Sequence, residues 1–194
     1  MTRPTPDFPV LTKDTAPEAS HALMDAYVAR MGFVPNLVGI LAASPAAAKT
    51  YGQAYAFLGE TEFTPAEQQA LLLTISRVNG CTYCVAAHTM GARKAGLDTE
   101  TIQALRDGRP VLDPKLAALV EFAAKLVEQR GQVGRDAVND FLTAGYKPAQ
   151  IMDILVAAAA KTISNYMNHM AETPLDVQFA DAAWHANGAS QAAQ

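Results

Sequence analysis

The chain has 194 residues, of which 50% are hydrophobic and 18% are charged, and its formal net charge is −4. This composition predicts one folded domain over residues 1–194 and excludes extended disorder, which requires few apolar residues and many charges. Phosphate binding needs a clustered excess of Lys and Arg, and the sequence has no such cluster, so we expect no nucleic-acid partner.

The sequence also predicts where the protein resides. Residues 1–14 contain no apolar run that could form a signal-peptide core. The longest apolar stretch, Ile154–Ala160, is too short to span a bilayer. We therefore expect a cytoplasmic protein without a membrane partner, in a compartment that keeps thiols reduced. Its two cysteines, Cys81 and Cys84, cannot build a disulfide framework. In such a compartment a close pair is more often redox-active or metal-binding than a structural disulfide.

Helix start and stop signals follow one another through the first half of the chain. A first helix is predicted to end at Gly32, and Pro35 and Pro45 fit the first turns of two further helices. Ser44 is a suitable cap for the second of these. The segment Thr64–Glu67 reads Thr-Pro-Ala-Glu, which is a capping box and predicts a helix running to about residue 78.

The second half continues in the same way. Asn79-Gly80 ends the capping-box helix, and a new helix is predicted to begin at Cys81. Asp98 and Asp113 are caps for two more, and Pro148 begins the last long helix. No segment alternates β-branched and polar residues over the length of a strand. The predicted fold class is all-α, a helical bundle.

One internal similarity suggests a duplicated helical unit. The sequence Pro65–Glu67 is matched 83 residues later by Pro148–Gln150, and at the same offset Cys81 corresponds to Ser164. In a duplication of this kind only the first copy would have kept its thiols.

The residues that indicate chemistry are Cys81, Cys84 and His88. In a helix they lie along one stripe at successive turns, with the sulfurs in the first turn, where unpaired N–H groups stabilise an anion. A thiolate is the species that attacks a peroxide oxygen or a disulfide sulfur. His88 could move the proton or pair with the thiolate as imidazolium, and the second cysteine could convert a sulfenic acid into a disulfide.

Two other interpretations of this motif remain open at this point. The cysteines could be small buried apolar residues, since free cysteine is among the most buried residue types. Alternatively, Cys81, Cys84 and His88 could be three ligands of a zinc ion. The remaining histidines are distant in sequence and supply no obvious fourth ligand: His21, His169 and His185.

The run from Thr64 to His88 resembles the core signature of the alkyl hydroperoxidase D-like (AhpD-like), peroxidase-related branch of the carboxymuconolactone decarboxylase family. The segment 165–176 is similar to the closing helix of the same branch, and the resemblance extends over residues 30–176. It implies an AhpD-like helical bundle that forms trimers or hexamers and works as an alkyl hydroperoxide reductase-like peroxidase.

The resemblance also implies roles for the two thiols. Cys84 attacks the hydroperoxide, Cys81 closes the disulfide, and a lipoyl-bearing or thioredoxin-like protein restores the dithiol. We expect no cofactor and no metal. The decarboxylase branch of the family typically lacks the Cys-x-x-Cys pair, so decarboxylation is the less expected activity. A redox sensor or small-ligand binder without catalysis is the alternative from another class.

The sequence departs from the family pattern at two positions. The family's relay glutamate lies twelve residues before the first cysteine, and that position here is Gln69. Glu67 is near, but two residues along a helix is about 200°, and Glu67 is also the acid of the capping box. Tyr83 stands where the active hydroperoxidases carry a second histidine. Gln69, Tyr83 and Glu67 are therefore candidate relay or positioning residues, and peroxidase activity is expected to be modest.

The remaining expectations concern the C-terminal part of the chain. Tyr166 is predicted to lie in the core, and His169 to pack or hydrogen-bond at a helix or subunit contact. The core is expected to cover residues 15–176, and residues 180–194 are expected to form a flexible tail.

Overall fold

The computed structural model describes residues 7–185, and every regular element in that range is a helix. The all-α prediction is therefore confirmed. The α-helices are α1 (His21–Met31), α2 (Asn36–Leu41), α3 (Pro45–Gly59), α4 (Pro65–Val78), α5 (Thr82–Lys94), α6 (Thr99–Asp107), α7 (Pro114–Glu128), α8 (Arg135–Thr143) and α9 (Pro148–Ala171). Two short 3₁₀ helices, Glu18–Ser20 and Val177–Ala182, flank them. No helix in the described range has both the length and the apolar composition needed to cross a bilayer.

The predicted helix starts are confirmed by side-chain caps. Ser44 accepts from the backbone N–H of Ala47 at 3.3 Å, and the carboxylates of Asp98 and Asp113 accept from backbone N–H groups at 2.8 and 2.7 Å. Thr64 forms the predicted capping box at the start of α4. Each cap satisfies an N–H that has no partner within the helix, a contribution of about 1 kcal/mol.

The break between α4 and α5 positions the cysteines. Gly80 has φ +67°, a left-handed conformation that favours glycine, and it turns the chain sharply after Asn79. The N–H of Cys81 still reaches back to the carbonyl of Ser76 at 2.9 Å. As a result α5 begins directly after the turn, with Cys81 as its N-cap residue and Cys84 in its first turn.

The buried apolar residues form two clusters. The larger surrounds α4 and α7 and contains Leu71, Leu119 and Phe122. The smaller, built around α1, α2 and α5, includes both cysteines together with Met24 and Val38. The thiols therefore point into the interior of the fold, where α5 packs against the first helices, and do not lie on the surface.

The proposed internal repeat is visible at the helix starts and is lost further along. Both α4 and α9 begin with a proline at the first helical position, and in each the third helical residue, Glu67 or Gln150, accepts from the backbone N–H of the N-cap residue. However, α9 runs without interruption through Ser164, the counterpart of Cys81, whereas α4 ends at Val78. The left-handed Gly80 corresponds to Ile163, which continues a helix readily. Whether the two segments arose by duplication stays a prediction.

Two expectations for the C-terminal part are wrong. Tyr166 is 55% exposed and is not a core residue. The expected tail does not begin at residue 180, because the Arg106 guanidinium donates to the carbonyls of Ala182 and Ala183, and the Trp184 indole N–H donates to the carbonyl of Arg106 at 3.1 Å. These bonds tie the segment to α6. Residues 186–194 of the expected tail lie outside the described residues.

Candidate functional site

Both cysteines are reduced and almost completely buried, with Cys81 1% and Cys84 2% exposed. The side-chain amide of Asn168 on α9 donates to both sulfurs, at 3.6 Å to Cys81 Sγ and 3.2 Å to Cys84 Sγ. Sulfur is a weak acceptor when protonated and a stronger one as thiolate. The shared donor therefore favours an anion on the thiol pair.

The cation of the site is Lys161, a residue of α9 with no exposed surface. Its ammonium lies 2.8 Å from His88 Nε2 and is close enough to Cys84 for its charge to lower the pKa of that thiol. None of the ion pairs between carboxylates and basic groups in residues 7–185 includes Lys161. A buried charge without a partner is strongly unfavourable. The Cys84 thiolate is the anion positioned to balance it.

The two thiols consequently have opposite acid strengths. Burial raises the pKa of Cys84, but the hydrogen bond from Cys81 and the ammonium of Lys161 outweigh burial and lower the pKa to about 5. The pKa of Cys81 is raised by its hydrogen bond to Cys84 and by burial. Burial lowers the pKa of Lys161, yet the charge of Cys84 more than compensates and raises it. At neutral pH the site holds a Cys84 thiolate, a Cys81 thiol and a Lys161 ammonium.

His88 stands behind this ion pair. Its Nδ1 lies 3.1 Å from Gln69 Oε1, and its Nε2 lies within 3.2 Å of the Tyr55 hydroxyl as well as near Lys161. An ammonium can only donate, so Nε2 is the accepting nitrogen and Nδ1–H donates to Gln69. Burial, with the charges of Lys161 and Arg30, lowers the pKa of His88 well below its ordinary value. The imidazole is neutral.

The arrangement differs from the expected pairing of His88 with the thiolate. The Lys161 ammonium lies beside Cys84 and donates to His88 Nε2, and His88 Nδ1–H donates to Gln69. The cation beside the sulfur is thus an ammonium and not an imidazolium. The reason is that α9 inserts Lys161 between the two side chains, and one buried cation disfavours a second. Gln69 nevertheless lies beside His88, where the family spacing implies the relay residue.

The other two candidate residues lie apart from the sulfurs. Glu67 accepts from the backbone and hydroxyl of Thr64 and from the Tyr146 hydroxyl at 2.9 Å, so it is held as the capping-box acid. The hydroxyl of Tyr83 donates to Asp176, which also accepts from the backbone N–H of Asn36. Tyr83 therefore joins α5 to the start of α2 and to the segment after α9.

A cavity of about 790 Å³ reaches Cys84, His88 and Lys161. Its walls carry six aromatic rings, those of Tyr27, Phe33, Tyr51, Tyr55, Tyr83 and Phe179. Arg30 and Lys94 also line it, and no carboxylate does so among the described residues. Burial raises the pKa of Tyr51 and of Tyr55, so these phenols remain neutral and the cavity is positively charged overall.

Three residues of the site were not predicted from the sequence, although a signal for the first was present: Lys161, Asn168 and Tyr55. The buried face of α9 follows helical spacing through Ile154, Ala157, Lys161 and Asn168. A lysine within that apolar row predicts a buried charge, and a buried charge predicts a partner. Tyr55 of α3 carries no comparable signal.

The geometry also bears on the zinc interpretation. Within residues 7–185 no group of three or more His, Cys, Asp or Glu side chains is arranged to hold a metal ion. Both ring nitrogens of His88 already have hydrogen-bond partners. The ammonium of Lys161 lies at Nε2, where a zinc ion bound to that nitrogen would have to lie. The electrostatics therefore favour an anion at the thiols over a divalent cation.

The middle of the chain matches the model of a known protein family. Residues 43–111, which contain α3, α4, α5 and the Cys-x-x-Cys-x-x-x-His motif, match the profile of the carboxymuconolactone decarboxylase family. Over that segment the chain is similar to this family. No curated protein matches the chain.

Solved structures show the same fold along nearly the whole chain. An uncharacterized peroxidase-related protein with an AhpD core from Ralstonia eutropha JMP134 superposes with a TM-score of 0.80 at 21% identity, covering 92% of this chain and 96% of that one. A peroxidase-related protein from Silicibacter sp. TM1040 gives 0.76 at 20% identity, with 92% and 97% covered. A cysteine-to-alanine variant of the debrominase Bmp8, in complex with 2,3,4-tribromopyrrole, gives 0.75 at 14% identity, with 90% and 94% covered. At these identities the likeness establishes the AhpD-like fold.

Proposed function

We propose that this protein is a dithiol peroxidase that reduces a hydroperoxide at Cys84 and closes a Cys81–Cys84 disulfide. The observation that carries the proposal is the buried Lys161 ammonium beside Cys84, at the inner end of a cavity large enough for an organic substrate. A thiolate of low pKa in an electropositive site is the form in which cysteine attacks a peroxide.

The chemistry balances with the groups present. The Cys84 thiolate attacks the outer peroxide oxygen, the O–O bond breaks, and Lys161 donates a proton to the departing alkoxide. This leaves an alcohol and a sulfenic acid on Cys84. The sulfur of Cys81 then displaces hydroxide from the sulfenic sulfur, and the hydroxide leaves as water. The proton of Lys161 goes to the alcohol, and the thiol proton of Cys81 goes to the water. The disulfide state therefore holds Lys161 as a neutral amine.

The direct test is a single turnover with an organic hydroperoxide such as cumene hydroperoxide. We expect one equivalent to remove both thiols and to lower the protein mass by two hydrogens, with one equivalent of alcohol formed. Dithiothreitol should restore the thiols. Oxidation no faster than that of free cysteine at the same pH would contradict the proposal and favour a protein that binds ligands without catalysis.

A second candidate reaction uses the same dithiol on a halogenated aromatic. The aromatic, cationic cavity favours it, and the debrominase Bmp8 shares this fold. The halogen would pass to the Cys84 sulfur as the ring carbon gains a proton, and Cys81 would displace halide to form the disulfide. Bromide release from a brominated pyrrole or phenol, with loss of both thiols, is the result expected for this reaction, whereas peroxidase activity alone would exclude it.

We also propose that the protein is a homo-oligomer, as the resemblance to AhpD-like proteins implies. The exposed side of α9 carries four large apolar side chains: Met152, Leu155, Tyr166 and Met170. At about 100° per residue they lie within about 60° of one another around the helix. Such a row is suited to covering by a second copy of the chain. Sedimentation at micromolar concentration should give a trimer or hexamer, and a species of 20.6 kDa would contradict this.

A further inference from the structure

The two thiols line two different cavities. Cys84 lies on the wall of the large cavity, and Cys81 does not. Cys81 instead lies on the wall of a separate cavity of about 320 Å³, to which Cys84 does not contribute. Tyr83 borders both cavities, and its hydroxyl is fixed by Asp176. Each thiol of the pair thus borders its own cavity, and Tyr83 lies between the two cavities.

We propose that the smaller cavity is the binding site for the thiol reductant, which attacks the disulfide at Cys81 from the side opposite to the substrate. The proposal rests on the dithiol cycle proposed above. It assigns each cysteine its own route to solvent, with substrate reaching Cys84 and reductant reaching Cys81.

The chemistry of disulfide exchange favours this direction. When an incoming thiolate bonds to Cys81 Sγ, the S–S bond breaks and Cys84 leaves as the thiolate. Exchange is faster when the leaving thiol has the lower pKa, and Cys84 is that thiol because Lys161 stabilises its anion. Attack on Cys84 would instead release Cys81, whose pKa is raised. A second thiol of the reductant then displaces Cys81, which takes up a proton, and the reductant leaves as its disulfide.

The small cavity contains polar groups that await a partner. Asn168 is 5% exposed, and its Oδ1 has no hydrogen-bond partner among the described residues, although its amide N–H groups contact the sulfurs. The hydroxyl of Thr173 is likewise buried and unpaired within that range. Both residues line this cavity. A buried polar atom without a partner costs about 1–3 kcal/mol. An S–H or amide N–H of a bound reductant would satisfy Asn168.

The size of the cavity restricts the reductant. A volume of about 320 Å³ admits a small dithiol or a slender thiol-bearing arm, and both sulfurs are too deeply buried to meet a cysteine on a flat protein surface. The exposed side chains at its edge, His169 and Glu172, are the groups that would meet the carrier of such an arm. We therefore assign the site to a small or arm-borne dithiol.

Two substitutions on α5 test the assignment by filling one cavity each. Thr82→Trp fills the small cavity and Met90→Trp fills the large one. The disulfide form is prepared with diamide, so that the test does not depend on peroxidase activity, and is then mixed with dithiothreitol. Thr82→Trp should slow reduction about tenfold, the effect of about 1.4 kcal/mol of added barrier. Its oxidation by hydroperoxide should stay within about twofold of wild type. Met90→Trp should instead slow oxidation by hydroperoxide about tenfold and leave reduction by dithiothreitol within about twofold of wild type.

A second measurement needs no substitution. The diamide-oxidised wild-type protein is treated with a monothiol, quenched in acid and alkylated. Tryptic peptide 78–93 contains both cysteines, and fragmentation between them locates the adduct. We expect the monothiol on Cys81 and the alkyl group on Cys84. An adduct on Cys84, or reduction of Thr82→Trp at the wild-type rate, would overturn the assignment and leave the peroxidase proposal standing. Failure of hydroperoxide to form the disulfide would instead contradict the peroxidase proposal alone.

Discussion

Cys81 and Cys84 lie in the same turn of the same helix, yet their surroundings are opposite in electrostatic character. Cys84 faces the Lys161 ammonium and an aromatic, positively charged cavity, whereas Cys81 faces a small cavity bordered by uncharged and acidic groups. The helix start acts on both sulfurs, so it cannot be the cause of the difference. The cause lies in α9, which brings a buried cation to one sulfur and only the amide of Asn168 to the other. A Cys-x-x-Cys motif thus supplies two thiols, and the helix packed across it divides their roles.

The largest expected effect comes from removing the thiols one at a time. Cys84→Ser should abolish hydroperoxide-dependent turnover, because no other thiolate of low pKa lies in the large cavity among the described residues. Cys81→Ser should still react once and leave a sulfenic acid on Cys84 that dimedone traps. The measurement is alcohol formation together with intact mass. If Cys84→Ser turned over at the wild-type rate, Cys84 would not be the attacking thiol, and Cys81 would have that role instead.

The next largest effect concerns the cation. Without the ammonium of Lys161, burial would raise the pKa of Cys84 to at least that of an ordinary thiol, of which about 3% is ionised at pH 7. Lys161→Met should therefore lower the rate of oxidation at pH 7 by about 30-fold or more. A neighbouring thiolate and ammonium also stabilise each other's charge, so the variant should fold without a buried charge that lacks its partner.

The pH profile separates this effect from general damage to the fold. In the wild-type protein the rate should rise as pH increases through about 5, where Cys84 ionises, and stay level from pH 6 to 8. In Lys161→Met it should still be rising about tenfold per pH unit near neutrality. Lys161→Arg keeps a cation and should retain most of the level region, and Lys125→Met on the exposed side of α7 is the matched control. A level profile in Lys161→Met would show that another group ionises Cys84.

Much of the fold could be predicted from the sequence because its signals are local. A capping residue, a proline in the first turn or a left-handed glycine acts within four residues, and Ser44, Thr64 and Gly80 each behave as predicted. The Cys-x-x-Cys-x-x-x-His motif is local in the same sense. Lys161 and Asn168 could not be assigned to the site in this way, because they meet the thiols only when α9 packs against α5.

The misplaced expectations have a similar cause. The exposed Tyr166 lies on the outer side of α9. Alanines occur on both sides of this helix, so the sequence pattern does not show which side is buried. The segment 180–185 has no predicted helix, yet it binds to α6 because the Arg106 guanidinium donates to its backbone carbonyls. A short segment held by one arginine carries no periodic signal in sequence.

The smallest expected effect concerns Gln69, which acts on the Cys84 sulfur only through His88 and Lys161. Gln69→Glu places a carboxylate against His88 Nδ1, which raises the basicity of the imidazole and, through Nε2, strengthens its hold on the Lys161 ammonium. We expect faster hydroperoxide turnover, by less than the roughly 10²–10⁴-fold typical of direct acid–base assistance, because Lys161 already ionises Cys84. Because burial and the charges of Lys161 and Arg30 lower the pKa of His88 well below its ordinary value, the gain should not follow the titration of an ordinary histidine between about pH 5 and 8.

Two further substitutions decide whether this gain comes from the contact with His88. An alanine at residue 91 would place its Cβ 2.8 Å from Gln69 Cδ, so Gly91→Ala must push the glutamine away from the imidazole. That variant should lose a small part of the wild-type rate, and combining it with Gln69→Glu should remove the gain. Gln68→Glu is the matched control, because the neighbouring amide bonds to the carbonyl of Phe63 and not to His88. If Gln68→Glu raises the rate as much as Gln69→Glu does, added negative charge in the cavity explains the effect, and residue 69 is no part of a proton relay.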